Sequence, residues 1–177
     1  MNHESPLLQP TLEKDHLYLR PLEERDFDPL HSAASDSKIW DQHFEPNRHD
    51  PKIFRKFFDA ALLSKGALVI IDQLSHQIIG TSRYYHYDPI QSELEIGYTF
   101  ITRPYWKTSA NSEIKKLMID HAFTFVDSVL FYVWENNFRS QKAVEKLGAT
   151  KQRLIEGPSH HSFEYRLKKN DWKNQTL

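Results

Sequence analysis

Between Glu93 and Trp134 the chain changes its hydrophobic period twice, and this stretch limits the fold more than any other. From Glu93 to Ile101, Leu94, Ile96, Tyr98 and Phe100 alternate with Glu93, Glu95, Gly97 and Thr99, the period of two expected of a strand with one apolar and one polar face. From Ala110 to Val126, Ile114, Leu117, Met118, His121, Ala122 and Phe125 recur at helical spacing, which predicts an amphipathic helix. Val129–Trp134 is then continuously apolar, as suits a strand buried on both faces beside a parallel neighbour. Parallel strands cannot be joined by a tight hairpin and need a crossover connection. Strand, helix and strand in this order therefore predict an α/β arrangement with the helix packed on the sheet.

The remaining segments extend that unit. Residues 1–14 are polar, contain Pro6 and Pro10, and read as an N-terminal arm before a strand at 16–21. A helix opening at Asp26 places Phe27, Leu30, His31 and Ala34 on one face. A second follows Pro51, with Ile53, Phe54, Phe57, Phe58, Ala61 and Leu62 at helical spacing. Gly66 ends it, and 67–71 with 78–85 read as a hairpin around a polar turn. Beyond Trp134 come a short helix, 137–147, closed by Gly148, and two strands near 149–156 and 162–168 flanking Gly157-Pro158. The expected organisation is an arm (1–14), one domain (15–170) and a tail (171–177).

Composition excludes several function classes. With 23 Lys and Arg against 24 Asp and Glu, no overall field favours a polyanion, and nucleic acid is not an expected partner. The start of the chain lacks the basic and apolar regions of a signal peptide, and no apolar run reaches membrane-spanning length, so no membrane is expected and the protein reads as cytoplasmic. The absence of Cys removes disulfides, thiolate metal sites and a Cys nucleophile, so any thiol chemistry must come from a cofactor. The ten His include His160-His161 but no HExxH spacing, and no metal is predicted.

Three local motifs carry a family resemblance. Arg103-Pro104-Tyr105-Trp106 followed by Asn111-Ser112-Glu113 and Lys116-Leu117-Met118 resembles the acetyl-CoA signature of the GNAT superfamily of N-acetyltransferases. Glu95-Ile96-Gly97-Tyr98 resembles the preceding strand of the branch containing ribosomal-protein alanine and serine N-terminal acetyltransferases. Asn137-Phe138-Arg139-Ser140 with Glu145-Lys146-Leu147-Gly148-Ala149 resembles the second signature of that branch. Leu17-Tyr18-Leu19-Arg20-Pro21-Leu22 with Asp26 fits the same branch. The resemblance implies a GNAT fold: a mixed α/β (α+β) sheet of about seven strands flanked by about four helices, with the strands at 93–101 and 129–134 splayed apart.

It also implies acetyl-CoA as co-substrate and a primary amine as acceptor, on a protein N-terminus, a peptide or a small molecule, and it admits a homodimer. Pantetheine would lie in the splay against the main chain of Thr99, Phe100 and Ile101. The pyrophosphate would sit at the N-terminus of the following helix, where unsatisfied N–H groups and the positive dipole end favour an anion, with Arg103, Lys107, Thr108, Ser109, Ala110 and Asn111 around it. The family's turn there is glycine-rich, whereas this chain has Trp106-Lys107-Thr108-Ser109, so the implied binding is weakened or rearranged. Read without the resemblance, Thr108 or Ser109 caps a helix and Lys107 is a solvated charge.

For catalysis the resemblance nominates Glu95 as general base with Glu93 second, both on the polar face of their strand. Both can also be read as ordinary exposed strand residues, and for Glu93 that is the better reading. Many members carry a Tyr four positions before the Gly of the K-L-G motif as acid; here that residue is Val144. Ser140 is the implied substitute, and Asn137 would hydrogen-bond the pantetheine arm. Trp40, His43 and Phe44 are placed by the resemblance at the acceptor pocket. Val144 and the altered turn also suit a second reading, a non-catalytic acyl-CoA-binding or sensory module of the same fold.

Overall fold

A computed structural model describes residues 6–173; the first five residues of the expected arm and residues 174–177 of the expected tail lie outside them. Eight strands form one mixed sheet. They are β1 (Leu12–Lys14), β2 (Leu17–Pro21), β3 (Ala67–Asp72), β4 (Gln77–Asp88), β5 (Glu93–Ile101), β6 (Ser128–Trp134), β7 (Thr150–Glu156) and β8 (His161–Lys168). Their order is β1-β2-β3-β4-β5-β6-β8-β7, with β5 and β6 the parallel pair. The α-helices are α1 (Phe27–Ala34), α2 (Pro51–Leu63), α3 (Ala110–Ala122), α4 (Phe138–Lys146) and α5 (Lys169–Lys173).

Local chemistry explains the boundaries. The Asp50 carboxylate accepts from the N–H groups of Lys52 and Ile53 at 2.8 and 3.2 Å, with Pro51 behind it, so α2 starts there. Its Phe54, Phe57, Phe58 and Ala61 are buried with Leu30 and Ala34 of α1 in a cluster on one side of the sheet, against Ala67 and Val69. On the other side Leu68 and Ile70 join Ile114, Met118 and Ile119 of α3. Successive β3 residues thus serve opposite cores, as alternation requires.

Two features of the sheet depart from the sequence reading. The alternation along β5 breaks at Tyr98, whose φ is 52°. Thr81 pairs with Phe100 and Arg83 with Gly97, so Ser82 faces two residues, the count that defines a β-bulge. Beyond it the faces exchange: Ile96 and Ile101 lie in the α3 core, while Phe100 lies in the α1–α2 core. The expected single face of Leu94, Ile96, Tyr98 and Phe100 is therefore divided, and Tyr98 is left 45% exposed. The splay itself is present. β5 and β6 pair at Glu93↔Ser128, Leu94↔Val129 and Glu95↔Leu130, while β6 stays paired to β8 from Ser128 through Trp134.

The chain ends are more ordered than their polar composition suggests. Leu12–Lys14, expected in the arm, form an edge strand on β2. α3 stops at Ala122, four residues short of the expected end, in a turn where the Thr124 hydroxyl donates to the His121 carbonyl. Trp172, expected in the tail, is 8% exposed, and its indole N–H donates to Asp120 of α3 at 2.6 Å. Trp172→Ala is expected to destabilise the fold by about 3–5 kcal/mol in equilibrium denaturation; a loss below ~1 kcal/mol would show that α5 is peripheral.

Candidate functional site

Beyond the last shared rung, Glu95↔Leu130, the diverging strands enclose a cavity of about 610 Å³. Residues 96–101 of β5 form one wall and 131–134 of β6 the other. Main-chain groups along this gap have no strand partner across it, so they can accept an extended ligand as a further strand would. Lys115 of α3 and Val144 of α4 also line the cavity. Trp40, His43, Phe44 and Arg48, between α1 and α2, close one side together with His160 from the β7–β8 turn, and the Phe44 and His160 rings stack at 3.9 Å.

The α3 N-terminus opens onto one end. Lys107 and Asn111 line the cavity, and Lys107 holds φ at 63°, the left-handed conformation that glycine adopts freely. Ser109 is helical at φ −71°, so the altered turn meets the glycine-type requirement at one of its two substituted positions. The Thr108 hydroxyl donates to the Tyr105 carbonyl at 2.7 Å and accepts from the Ala110 N–H at 3.2 Å, a capping role, and the Ala110 side chain is in the core. Arg103 turns away, paired with Asp36 beside a separate cavity of about 380 Å³.

The two acidic candidates are held differently. Glu93 is ion-paired with Arg166. Glu95 accepts a hydrogen bond from His86 at 3.0 Å; burial raises its pKa and the His86 contact opposes that rise. Glu95 does not itself line the cavity. Tyr85 does, and its hydroxyl lies so near Gly97 that a Cβ there would sit 2.7 Å from it. Burial and the neighbouring Glu95 push the Tyr85 phenol well above its usual range; burial, then Glu164, pushes Tyr132 to about 12.

At the α4 end, Asn137 Oδ1 accepts from the Ser140 N–H at 3.1 Å, capping the helix, and both residues line the cavity. Ser140 Oγ makes no hydrogen bond among the described residues. Arg139 stacks over Trp106 at 4.2 Å and donates to the Ile39 carbonyl at 2.8 Å. It thereby fixes α4 against the segment between α1 and α2.

The structure thus brings Thr99, Phe100, Ile101, Lys107, Asn111, Asn137 and Ser140 to one cavity. Glu95, paired across the strands with Tyr85, lies outside the lining, as do Glu93, Arg103, Thr108, Ser109 and Ala110. Sequence reasoning missed Arg48, Tyr85 and Lys115. Lys115 is 6% exposed, and its ammonium donates to Thr99 Oγ1 at 2.5 Å and Ser82 Oγ at 3.3 Å. Burial lowers its pKa from 10.5 to about 7. His43 is lowered to about 3, first by burial and then by Arg48 and His160. Among the described residues no group of three or more His, Cys, Asp or Glu could hold a metal ion, and no helix is long and apolar enough to cross a membrane.

Residues 16–150 match the family model described as the acetyltransferase (GNAT) domain. The fold is similar to that of a GCN5-related N-acetyltransferase from Brucella melitensis, at TM-score 0.81 and 19% identity over 98% of this chain and 86% of that one. It is also similar to spermidine N-acetyltransferase from Vibrio cholerae in complex with CoA and spermine, at TM-score 0.68 and 17% identity over 91% and 100%. A third similar structure is the ribosomal-protein-S5-alanine acetyltransferase from Vibrio fischeri, at TM-score 0.69 and 16% identity over 92% and 98%.

The buried lysine has a thermodynamic signature. Its folded pKa, about 7, lies below the ordinary 10.5, so the unfolded chain binds more protons between those values and stability rises with pH there. The cost of the buried ammonium is full below pH 7 and fades towards pH 10.5. Lys115→Met is therefore expected to raise the denaturation midpoint at pH 7, with a gain that shrinks as the pH approaches 10.5; equal midpoints at pH 7 would show a solvated ammonium.

Proposed function

This chain belongs to the GNAT acetyltransferase family, and we propose that it transfers an acetyl group from acetyl-CoA to a primary amine by direct attack in a ternary complex. The observation that carries this reading is the cavity between two parted parallel strands with a helix N-terminus at one end. It offers unpaired main chain for the pantetheine amides and an anion-favouring helix end for the pyrophosphate. The cofactor residues are then Thr99, Phe100 and Ile101 through main chain, Lys107 and Asn111 at the phosphates, and Asn137 and Ser140 at the other wall. Arg103, held by Asp36, contributes to the turn rather than to the phosphates.

The amine enters from the side formed by Trp40, His43, Phe44 and Tyr85. Attack requires a neutral nitrogen, which an α-amine near pKa 7.7–8.0 reaches more easily than a lysine near 10.4. Glu95, its pKa raised by burial, accepts the proton through the Tyr85 hydroxyl or one water, since Tyr85, its cross-strand partner, lines the cavity and Glu95 does not. The acceptor is a primary amine on a protein N-terminus, a peptide or a small molecule. The similar structures named for spermidine and for a ribosomal-protein alanine support that range.

Calorimetry with acetyl-CoA tests the reading first. Wild-type protein is expected to bind, and Lys107→Glu to bind at least tenfold more weakly, a difference of about 1.4 kcal/mol; no binding by the wild type would overturn the reading. Glu95→Gln is expected to keep acetyl-CoA affinity while lowering kcat by about 10²-fold or more on alanine-initiated peptides or spermidine, whichever is acetylated. An unchanged kcat would remove Glu95 from the proton path.

A further inference from the structure

We propose that Lys115 donates the proton to the sulfur of CoA as the thioester breaks, a role that rests on the acetyl-CoA reading above. Lys115 lies one helical turn beyond Asn111 on α3, and its ammonium reaches the space between the parted strands. It touches Thr99 of β5 at 2.5 Å and lies 5.8 Å from the ring centre of Phe131 on β6. Phe131 immediately follows Leu130, the last β6 residue paired with β5. The ammonium therefore stands in the gap, beside the bulge on one wall and facing Phe131 on the other.

A purely structural explanation accounts poorly for this residue. Its two acceptors, Thr99 Oγ1 and Ser82 Oγ, are neutral hydroxyls, and a buried ammonium without a carboxylate is costly. Ser82 from β4, Thr99 from β5 and Phe131 from β6 face it, and burial is the one cause of its lowered pKa. Of its three N–H groups, two are used by the protein.

Several other cavity-lining groups are poorer donors to a thiolate, whose conjugate acid in cysteine titrates near 8.5. Tyr132, at about 12, and Tyr85, higher than usual, hold their protons too tightly. His43, at about 3, has none to give at neutral pH. Arginine does not deprotonate, and Val144 has no proton to offer. Lys115, at about 7, is nearest in acidity to the thiol, and a thiolate forming beside it raises the ammonium further towards a match.

The step balances. The amine nitrogen bonds to the thioester carbon and gives up a proton to the base. The tetrahedral species then collapses, the C–S bond breaks with its electron pair on sulfur, and one Lys115 proton moves to that sulfur. The products are the acetamide, CoA thiol and a neutral Lys115, which regains a proton from solvent.

The test needs no acceptor: the protein contains no cysteine, so the thiolate absorbance of its CoA complex, read as the difference from the CoA-free protein to remove tyrosinate, reports CoA. The bound thiol is titrated in the ultraviolet for wild type and Lys115→Met. An ammonium within about 4–6 Å is expected to lower the thiol midpoint by about one pH unit or more relative to the variant, an effect that a packing role would not produce. Equal midpoints overturn the proposal. Should Lys115→Met fail to hold CoA, the wild-type complex decides: a bound thiol titrating below free CoA supports the proposal, and one at or above it overturns it. A wild-type protein that binds no CoA overturns the acetyl-CoA reading and the proposal with it, whereas binding with equal midpoints overturns the proposal alone.

Discussion

The parting of β5 from β6 is the constraint around which the molecule is arranged. Two parallel strands that separate after three rungs leave main-chain groups unpaired, which a fold tolerates where water or a ligand reaches them. Each strand is secured on its other edge, β5 by β4 and β6 by seven rungs with β8. The bulge at Tyr98 sets the chemistry of the opening. By inserting one residue it turns Thr99 toward α3 and Phe100 toward α2, so one wall presents a hydroxyl to the buried lysine while the opposite core gains an aromatic ring. Had the two-residue alternation run on unbroken, Thr99 would lie on the face of Glu95.

Burial then sorts the ionisable groups around the cavity. It raises Glu95, Tyr85 and Tyr132 and lowers His43 and Lys115, in each case by penalising the charged form. At neutral pH His43 is an aromatic surface, the tyrosines are hydrogen-bond donors, and Lys115 is the group whose charge changes most readily. The arginines act as packing. Arg48 lies 4.7 Å from Phe57 and 5.2 Å from Trp40 in ring-stacking geometry, and Arg83 lies 4.2 Å from Tyr98, so the acceptor side is built from flat cations on rings.

The layout was legible where periodicity is long. The crossover from Glu93 to Trp134, the two phenylalanine-bearing helix faces and the hairpin of β3 and β4 all follow from apolar spacing. The bulge was not, because Tyr98 adopts a positive φ that its side chain disfavours, and a two-residue period conceals one inserted residue. Lys115 was hidden by a different habit. It shares the i, i+3, i+4, i+7 face of Met118, Ile119 and Ala122, yet a lysine inside an apolar stripe is ordinarily taken to be solvated. Glu93 and Glu95 appeared equivalent in alternation, and they differ because Arg166 reaches one and Tyr85 with His86 reaches the other, partners that lie far along the chain or on a neighbouring strand.

The position of Trp172 bears on how the protein is made. Its ring fills the α3 core from the fifth helix, after every strand has been synthesised. While Trp172 is still inside the ribosomal exit tunnel, the pocket that receives its ring is open, and the unpaired flank of β6 awaits β8, which emerges shortly before it. A nascent chain of this topology therefore cannot close its core until α5 has emerged, and exposes apolar surface to chaperones or to other nascent chains until then.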